Sequence, residues 1–263
     1  MTTWLLATDM DRTLLPNGLV PPETGALDRF RVWAGQRQAT HLAYVTGRHR
    51  ALAREVMADY ALPEPDWLVC NVGTEIYPQG QDQPLAAWHK RLQGGFDAGA
   101  VREWARRQLT GARLQAAAKQ SPLKVSFYTA GTESPAEDQE RLKLALAGAG
   151  LDARVVVSFD ETEDVGLVDF LAPGSGKARA VAFLRQHLGV SQDDALFAGD
   201  SGNDADALIS GMGGILVGNA TEAVRAQIRA GLEQHTQARV YVAERPYTAG
   251  ILEGMAHYDW EVP

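Results

Sequence analysis

Trp4-Leu5-Leu6-Ala7-Thr8-Asp9-Met10-Asp11-Arg12-Thr13 begins as a short uncharged apolar run and stops abruptly at a pair of aspartates. The run Trp4–Thr8 lacks the in-out alternation of a half-exposed strand, so it reads as a strand covered on both faces. The same design recurs along the chain. His41–Thr46 is a second such strand and ends in Thr46-Gly47-Arg48; Trp67–Cys70 is a third. Ala195–Ala198 runs into Gly199-Asp200-Ser201-Gly202-Asn203-Asp204, and strands are expected again at Gly214–Val217 and Arg239–Val242. Amphipathic stretches separate them: Glu23–Ala34 after Pro21-Pro22, Arg48–Tyr60, Lys177–Leu188, a helix after Asn203, Glu222–Ala230 and Thr248–Tyr258. Buried strands alternating with helices predict an α/β fold, a doubly wound parallel sheet with a Rossmann-like core.

The pattern changes between these halves. A turn-rich stretch from Gln79 leads to a helix over Asp97–Leu109, short strands near Arg113–Ala117 and Lys124–Thr129, and the sequence Ser134-Pro135-Ala136-Glu137. Serine at the cap, proline at the first helical position and glutamate three residues on from the cap mark a helix start. That helix is expected to run to Gly148, with a strand at Ala153–Val157 beyond it. Residues 1–80 and 166–263 are therefore expected to form the core, and residues 81–165 an inserted, smaller α+β cap.

The chain has 263 residues, a formal net charge of −8 and 45% hydrophobic residues. That composition suits a folded chain with a sizeable core and excludes a disordered one. An acidic surface repels phosphate backbones and anionic lipids, so neither nucleic acid nor a membrane is an expected partner. No run of about 18 apolar residues occurs, and no basic region precedes the first apolar stretch, so a soluble cytoplasmic protein is expected; a monomer is a separate expectation. Cys70 stands alone and cannot close an internal disulfide, which is compatible with a reducing compartment.

In sheets of this kind ligands bind beyond the carboxyl ends of the strands. Asp9 and Asp11, Thr46, and Asp200 and Asp204 all follow strands, and Lys177 opens a helix after Gly174-Ser175-Gly176. Four aspartates gathered in one cleft repel one another unless a hard cation neutralises them, and an all-oxygen ligand set beside a phosphate favours Mg²⁺. A threonine hydroxyl and a lysine ammonium can grip phosphoryl oxygens. A carboxylate can then attack phosphorus, while a second carboxyl handles the leaving group's proton. Taken singly, each cluster is equally a turn or a helix cap; their joint order, each after its own strand, favours chemistry. Gly174–Ala178 superficially looks like a nucleotide-binding loop, but Leu171 stands at its first glycine and Ala178 at its Ser/Thr position, so that reading is rejected. The histidines have no metal-binding spacing.

The four clusters resemble the motifs of the haloacid dehalogenase superfamily, in its Mg²⁺-dependent phosphatase branch, and the insertion between Thr46 and Lys177 resembles the cap of the Cof-type members. The resemblance implies Asp9 as nucleophile, Asp11 as general acid/base and as metal ligand through its main-chain carbonyl, and Thr46 and Lys177 as phosphoryl binders. It further implies Asp200 and Asp204 as metal ligands and Asn203 as a group orienting Lys177 or the phosphate. Gly47 and Arg48 are expected at the substrate with them. Asn71–Tyr77, Lys124–Tyr128 and Ala243–Tyr258 are similar to segments of sucrose-6-phosphate phosphatases, which implies a sugar phosphate, sucrose 6-phosphate foremost, as substrate. Asn71, Gly73, Thr74, Glu75, Gln120 and Lys124 are then candidates to touch the sugar. The same segments are equally read as a hairpin, a solvated strand and a packed helix, and Trp88, Trp104 and Tyr128 as stacking rings or as cap core. Rival readings are a phosphatase of another glycosyl phosphate such as mannosylfructose phosphate, a phosphomutase, and a non-catalytic partner of a sugar-phosphate synthase. Such a synthase is also a candidate partner of the phosphatase itself.

Overall fold

A computed structural model describes residues 3–92, 94–130, 135–160 and 163–262. Along the chain run β1 (Trp4–Asp9), α1 (Ala26–Gln36), β2 (Thr40–Val45), α2 (Arg50–Asp59), β3 (Trp67–Cys70) and β4 (Glu75–Pro78). There follow α3 (Ala86–Leu92), α4 (Ala98–Gln108), β5 (Arg113–Leu114), β6 (Lys124–Thr129), α5 (Pro135–Gly148), β7 (Arg154–Asp160) and β8 (Val165–Leu171). The chain closes with α6 (Lys177–His187), β9 (Ala195–Gly199), α7 (Ala205–Leu208), β10 (Gly213–Leu216), α8 (Glu222–Gln234), β11 (Arg239–Val242) and α9 (Tyr247–His257).

Seven strands form the core sheet in the order β11-β10-β9-β1-β2-β3-β4. All pair in parallel except β4, which returns antiparallel on β3. β1 is apolar as far as Ala7 because both its faces are covered: Leu5 and Ala7 belong to one hydrophobic cluster and Leu6 to another. The register aligns Asp9 with Val45 and Thr8 with Ala198, so β1, β2 and β9 end at one level. Whatever follows those three strands must share one edge of the sheet, which is what positions the site.

The cap is a four-stranded antiparallel sheet in the order β5-β6-β8-β7. α4 and α5 cover one of its faces, where Val101, Trp104, Leu142 and Leu146 pack on Phe127, Val155 and Phe170. Trp104 is thus cap core.

The expected return to the core at 166 is displaced. β8 pairs with β6 and β7 and belongs to the cap, so the core resumes only at α6. Its buried Gly166, Val168 and Phe170 alternate with half-exposed Val165, Leu167 and Asp169, the pattern of a strand covered on one face. Conversely α3, inside the expected cap segment, packs on the core: Trp88 and Leu92 join the β1 cluster, and the Trp88 indole N–H donates to the Gly73 carbonyl at 3.2 Å. The expected cap residue Ser134 lies outside the described residues, and the described part of that helix starts at Pro135. Among the described residues no helix is long and apolar enough to cross a membrane.

Candidate active site

Asp9 ends β1 and is buried at 4% exposure. Asp200 follows β9, and Asp204 sits in a short 3-10 turn, Gly202–Asp204. Gly199 makes this loop possible, since a Cβ there would lie 2.6 Å from the Asp204 Cβ. One Asp204 oxygen serves the loop itself, accepting from Ser201 Oγ at 2.9 Å and from the Ser201 N–H at 3.2 Å. Its other oxygen faces Lys177, whose ammonium donates to Asp204 Oδ1 at 2.8 Å and to Asp9 Oδ1 at 2.7 Å. Lys177 is the first residue of α6 and is brought in by Gly176, at φ 121°. Asp200 accepts from Thr13 Oγ1 at 2.9 Å and from Arg12 Nε at 3.0 Å.

Carboxylate oxygens of Asp9, Asp200 and Asp204 lie within 4.8 Å of one another. Burial, reinforced by the charges of Asp204, Asp200 and Asp11, holds the Asp9 carboxyl well above the usual carboxylate range despite Lys177. Burial and the Asp204 charge push Asp200 up to about 6 against the opposing Arg12 and Thr13. Burial would depress the Lys177 ammonium, but Asp204 and Asp9 outweigh it and hold the group above its ordinary value. Asp9 and Asp204 thus share one buried ammonium while Asp200 pairs with the Arg12 guanidinium, and a cluster of three acidic oxygens this close fits a divalent cation.

Asp11 is placed differently from the expected four-acid cluster. Its carboxylate accepts from Arg48 Nε at 2.8 Å, Arg48 Nη2 at 2.6 Å and Asn17 Nδ2 at 2.8 Å, and it stands apart from the three-acid group. Burial raises its carboxyl, but the Arg48 bonds and charge prevail and hold it below the usual range. Thr46 is fully buried under the turn that follows β2, and its hydroxyl accepts the Arg48 N–H at 3.1 Å, which leaves its own proton free to donate.

Above these residues lies a cavity of about 900 Å³ between core and cap. Gly47, Arg48 and Asn203 line it from the core, and Lys124, Tyr128 and Asp169 from the cap. Lys124 is buried, donates to the Gly47 carbonyl at 3.3 Å and lies 3.7 Å from Asp169, so it ties cap to core.

The remaining sugar candidates lie behind the cavity wall. Asn71, Val72 and Gly73 form a left-handed turn with φ of 51°, 58° and 87°. A Cβ on Gly73 would come within 2.4 Å of the Gly176 carbonyl carbon, so this turn packs directly on the backbone that delivers Lys177. Asn71 donates to Glu75 at 3.0 Å, and Thr74 Oγ1 donates to the Asn71 carbonyl at 3.1 Å. Gln120 braces the cap sheet through the Ser126 main chain, donating to its carbonyl and accepting from its N–H at 3.0 Å each. Several cavity residues escaped sequence reading, among them Asn17, Arg113, Gln115, Lys119 and Asp169. Only Asp169 left a signal, as the one charged residue in the apolar stretch Val165–Leu171.

The model of the sucrose-6F-phosphate phosphohydrolase family matches residues 2–259. The chain belongs to that family. It therefore lies in the haloacid dehalogenase superfamily, in the Cof-like branch. A protein of Nitrosococcus oceani named as a HAD-like hydrolase is 38% identical, over 97% of this chain and 71% of its own length. Sucrose-phosphatase 1 of Nicotiana tabacum is 31% identical over 97% of this chain, which spans 59% of the tobacco protein's length. Mannosylfructose-phosphate phosphatase of Agrobacterium fabrum is 26% identical, matched over 97% of this chain and 96% of its own. Among solved structures, the sucrose-phosphatase of Synechocystis sp. PCC6803 in complex with sucrose and phosphate aligns with a TM-score of 0.80 and 28% identity, covering 98% of this chain and 99% of that one. The α/β core with its smaller β-sheet cap is the architecture this chain shares with that structure.

Proposed function

We propose that the chain is a Mg²⁺-dependent phosphomonoesterase that hydrolyses sucrose 6-phosphate to sucrose and phosphate. The observation that carries the reading is Asp9 held 2.7 Å from Lys177, with Asp200 and Asp204 beside it, at the floor of a capped cavity. The Asp9, Asp200 and Asp204 carboxylates and the Asp11 main-chain carbonyl would hold the metal. When bound it supplies positive charge that keeps the acids ionised and offsets the charge of the phosphoryl group.

The chain's own groups account for the rest. A carboxylate oxygen of Asp9 attacks phosphorus in line and the bond to the sugar oxygen breaks, leaving an aspartyl-phosphate. Lys177 and the Thr46 hydroxyl grip the phosphoryl oxygens. Asp11, a carboxylate paired with Arg48 in the free protein, would part from Arg48 on substrate binding, take up a proton and pass it to the departing sugar oxygen, and afterwards take one from the water whose attack on phosphorus frees Asp9 and phosphate. The cap keeps bulk water from the acyl-phosphate while the sugar is present. Lys124, Tyr128 and Asp169, among the cap residues that line the cavity, would meet sugar hydroxyls.

The likeness to a mannosylfructose-phosphate phosphatase over nearly the whole of both chains supports a second substrate, another disaccharide phosphate. Phosphate release, followed as kcat/KM over a panel of sugar phosphates with and without Mg²⁺, tests both. The highest value for sucrose 6-phosphate is expected, with turnover lost in Asp9→Asn. A clear preference for mannosylfructose phosphate would replace the substrate. Phosphate returned to another position of the sugar instead of released would make the enzyme a mutase.

A further inference from the structure

The stretch Ala243–Tyr258, singled out by its sequence, contributes nothing to the cavity lining. Its first residues instead reach the loop that follows β1. Tyr247 stands at φ 50° and is almost fully buried. Its hydroxyl donates to the Val20 carbonyl at 2.8 Å and accepts the Val20 N–H at 3.1 Å, while Thr248 Oγ1 donates to the Leu14 carbonyl at 2.6 Å. The Tyr247 N–H donates to Asn219 Oδ1 at 2.8 Å, which fixes the amide of Asn219, in the turn between β10 and α8.

The other end of that amide touches the catalytic loop. Asn219 Nδ2 donates to the Arg12 carbonyl at 2.7 Å, and Asn17 Oδ1 accepts the Arg12 N–H at 2.7 Å. Arg12 adopts φ 58°, a conformation disfavoured by about 1 kcal/mol for a residue with a side chain. It lies between Asp11, whose carboxylate Asn17 also contacts, and Thr13, which bonds Asp200. Two asparagines therefore grip one strained residue from both sides. Relaxation there would shift the main chain from which the Asp11 side chain springs.

We propose that Asn219 is a positioning residue of the reaction: locked by Tyr247, it sets the Arg12 peptide and so the aim of Asp11 at the leaving-group oxygen. The inference rests on the phosphatase reading above and adds to it a residue remote from the substrate. Its signature is dependence on the leaving group. A sugar alkoxide needs the proton that Asp11 delivers; p-nitrophenolate leaves without one.

The test is Asn219→Asp, which keeps the acceptor for Tyr247 and removes the donor to Arg12. For the sugar phosphate that the wild-type chain hydrolyses fastest, kcat is expected to fall about 30-fold with KM within about twofold. The burst rate of p-nitrophenol from p-nitrophenyl phosphate should stay within about threefold, since that step needs no acid. Asn219→Ala, which adds no charge, is read in the same way should the aspartate variant not fold. Asn17→Ala, the opposite grip, should show the same split. An unchanged kcat, or equal losses on both substrates, would overturn the inference while leaving the phosphatase intact. A wild-type chain that releases no phosphate from either class would overturn the phosphatase reading, and the inference with it.

Discussion

Asp200 is the residue whose protonation most directly reports the state of the site. Its carboxyl is pushed up to about 6, from 3.8 in the unfolded chain, by burial and by Asp204. The folded protein therefore holds this proton where the unfolded one has released it, so stability falls as pH rises through that window. Asp9 shifts in the same direction. Asp11, held below the usual range, acts with the opposite sign only at lower pH. Metal-free wild type should consequently lose a few degrees more than Asp200→Asn between pH 5 and pH 7.5, since the variant lacks the Asp200 share of the dependence and keeps that of Asp9. Adding Mg²⁺ at pH 7.5 should raise the wild-type midpoint and move the variant's much less. Parallel melting curves for the two proteins across this range, with and without Mg²⁺, would remove Asp200 from the metal set. At this scale the sequence was informative about which acids matter and silent about where each side chain turns. Asp9, Asp200 and Asp204 converge as their positions after β1 and β9 require. Asp11 turns to Arg48 and Asn17 because those two partners happen to lie within reach, a fact of tertiary structure that no local pattern encodes.

Elements were legible where burial imposes a pattern. β1, β2, β3 and β9 are apolar without alternation because the sheet is covered twice, and their ends mark the site edge before any coordinate is known. β8 was attributed to the returning core because its pairing partners β6 and β7 are fixed by contacts distant in sequence. α3 went unread because a helix Ala86–Leu92 offers only two turns of periodicity. The segment Asn71–Glu75 shows a subtler limit. Likeness to a family segment marks it as important, but contact with sugar and support for a neighbouring turn leave the same trace in sequence. The left-handed turn there packs on Gly176, the residue before Lys177, so a part in seating Lys177 is expected of it. Gly73→Ala tests this. At φ 87° and 2.4 Å from the Gly176 carbonyl carbon, a methyl group has no room, and one of the two turns must move. A loss of about 2 kcal/mol in stability is expected from the backbone conformation alone. A fall of at least about tenfold in kcat should accompany it, as Lys177 shifts from Asp9. Wild-type kcat in a destabilised variant would reduce the turn to a scaffold with no part in placing the lysine.

The molecule as a whole divides the labour between two bodies that meet at the cavity. The core supplies the three-acid cluster and Lys177, and the cap supplies Lys124, Tyr128 and Asp169 to the same cavity; under the proposed function the first set would serve any phosphate ester and the second would face what the phosphate is attached to. Lys124 stands at the junction, since its ammonium reaches the Gly47 carbonyl of the core while lying beside Asp169 of the cap. Asp169 is held in turn by Ser126 Oγ on the neighbouring strand. A buried ammonium that bonds one body and lies beside a carboxylate of the other helps hold the cap over the core. Lys124→Met keeps the stem and removes the charge. It should lower kcat/KM for a sugar phosphate by about 10- to 100-fold, chiefly through KM, because both the cap's seating and one hydroxyl contact are lost. A small ester such as p-nitrophenyl phosphate makes little use of the cap and should lose no more than about threefold. Equal losses on the two substrates would place Lys124 with the phosphoryl-binding groups of the core. No loss on either would mean that the cap finds its position, and the sugar its contacts, without this lysine.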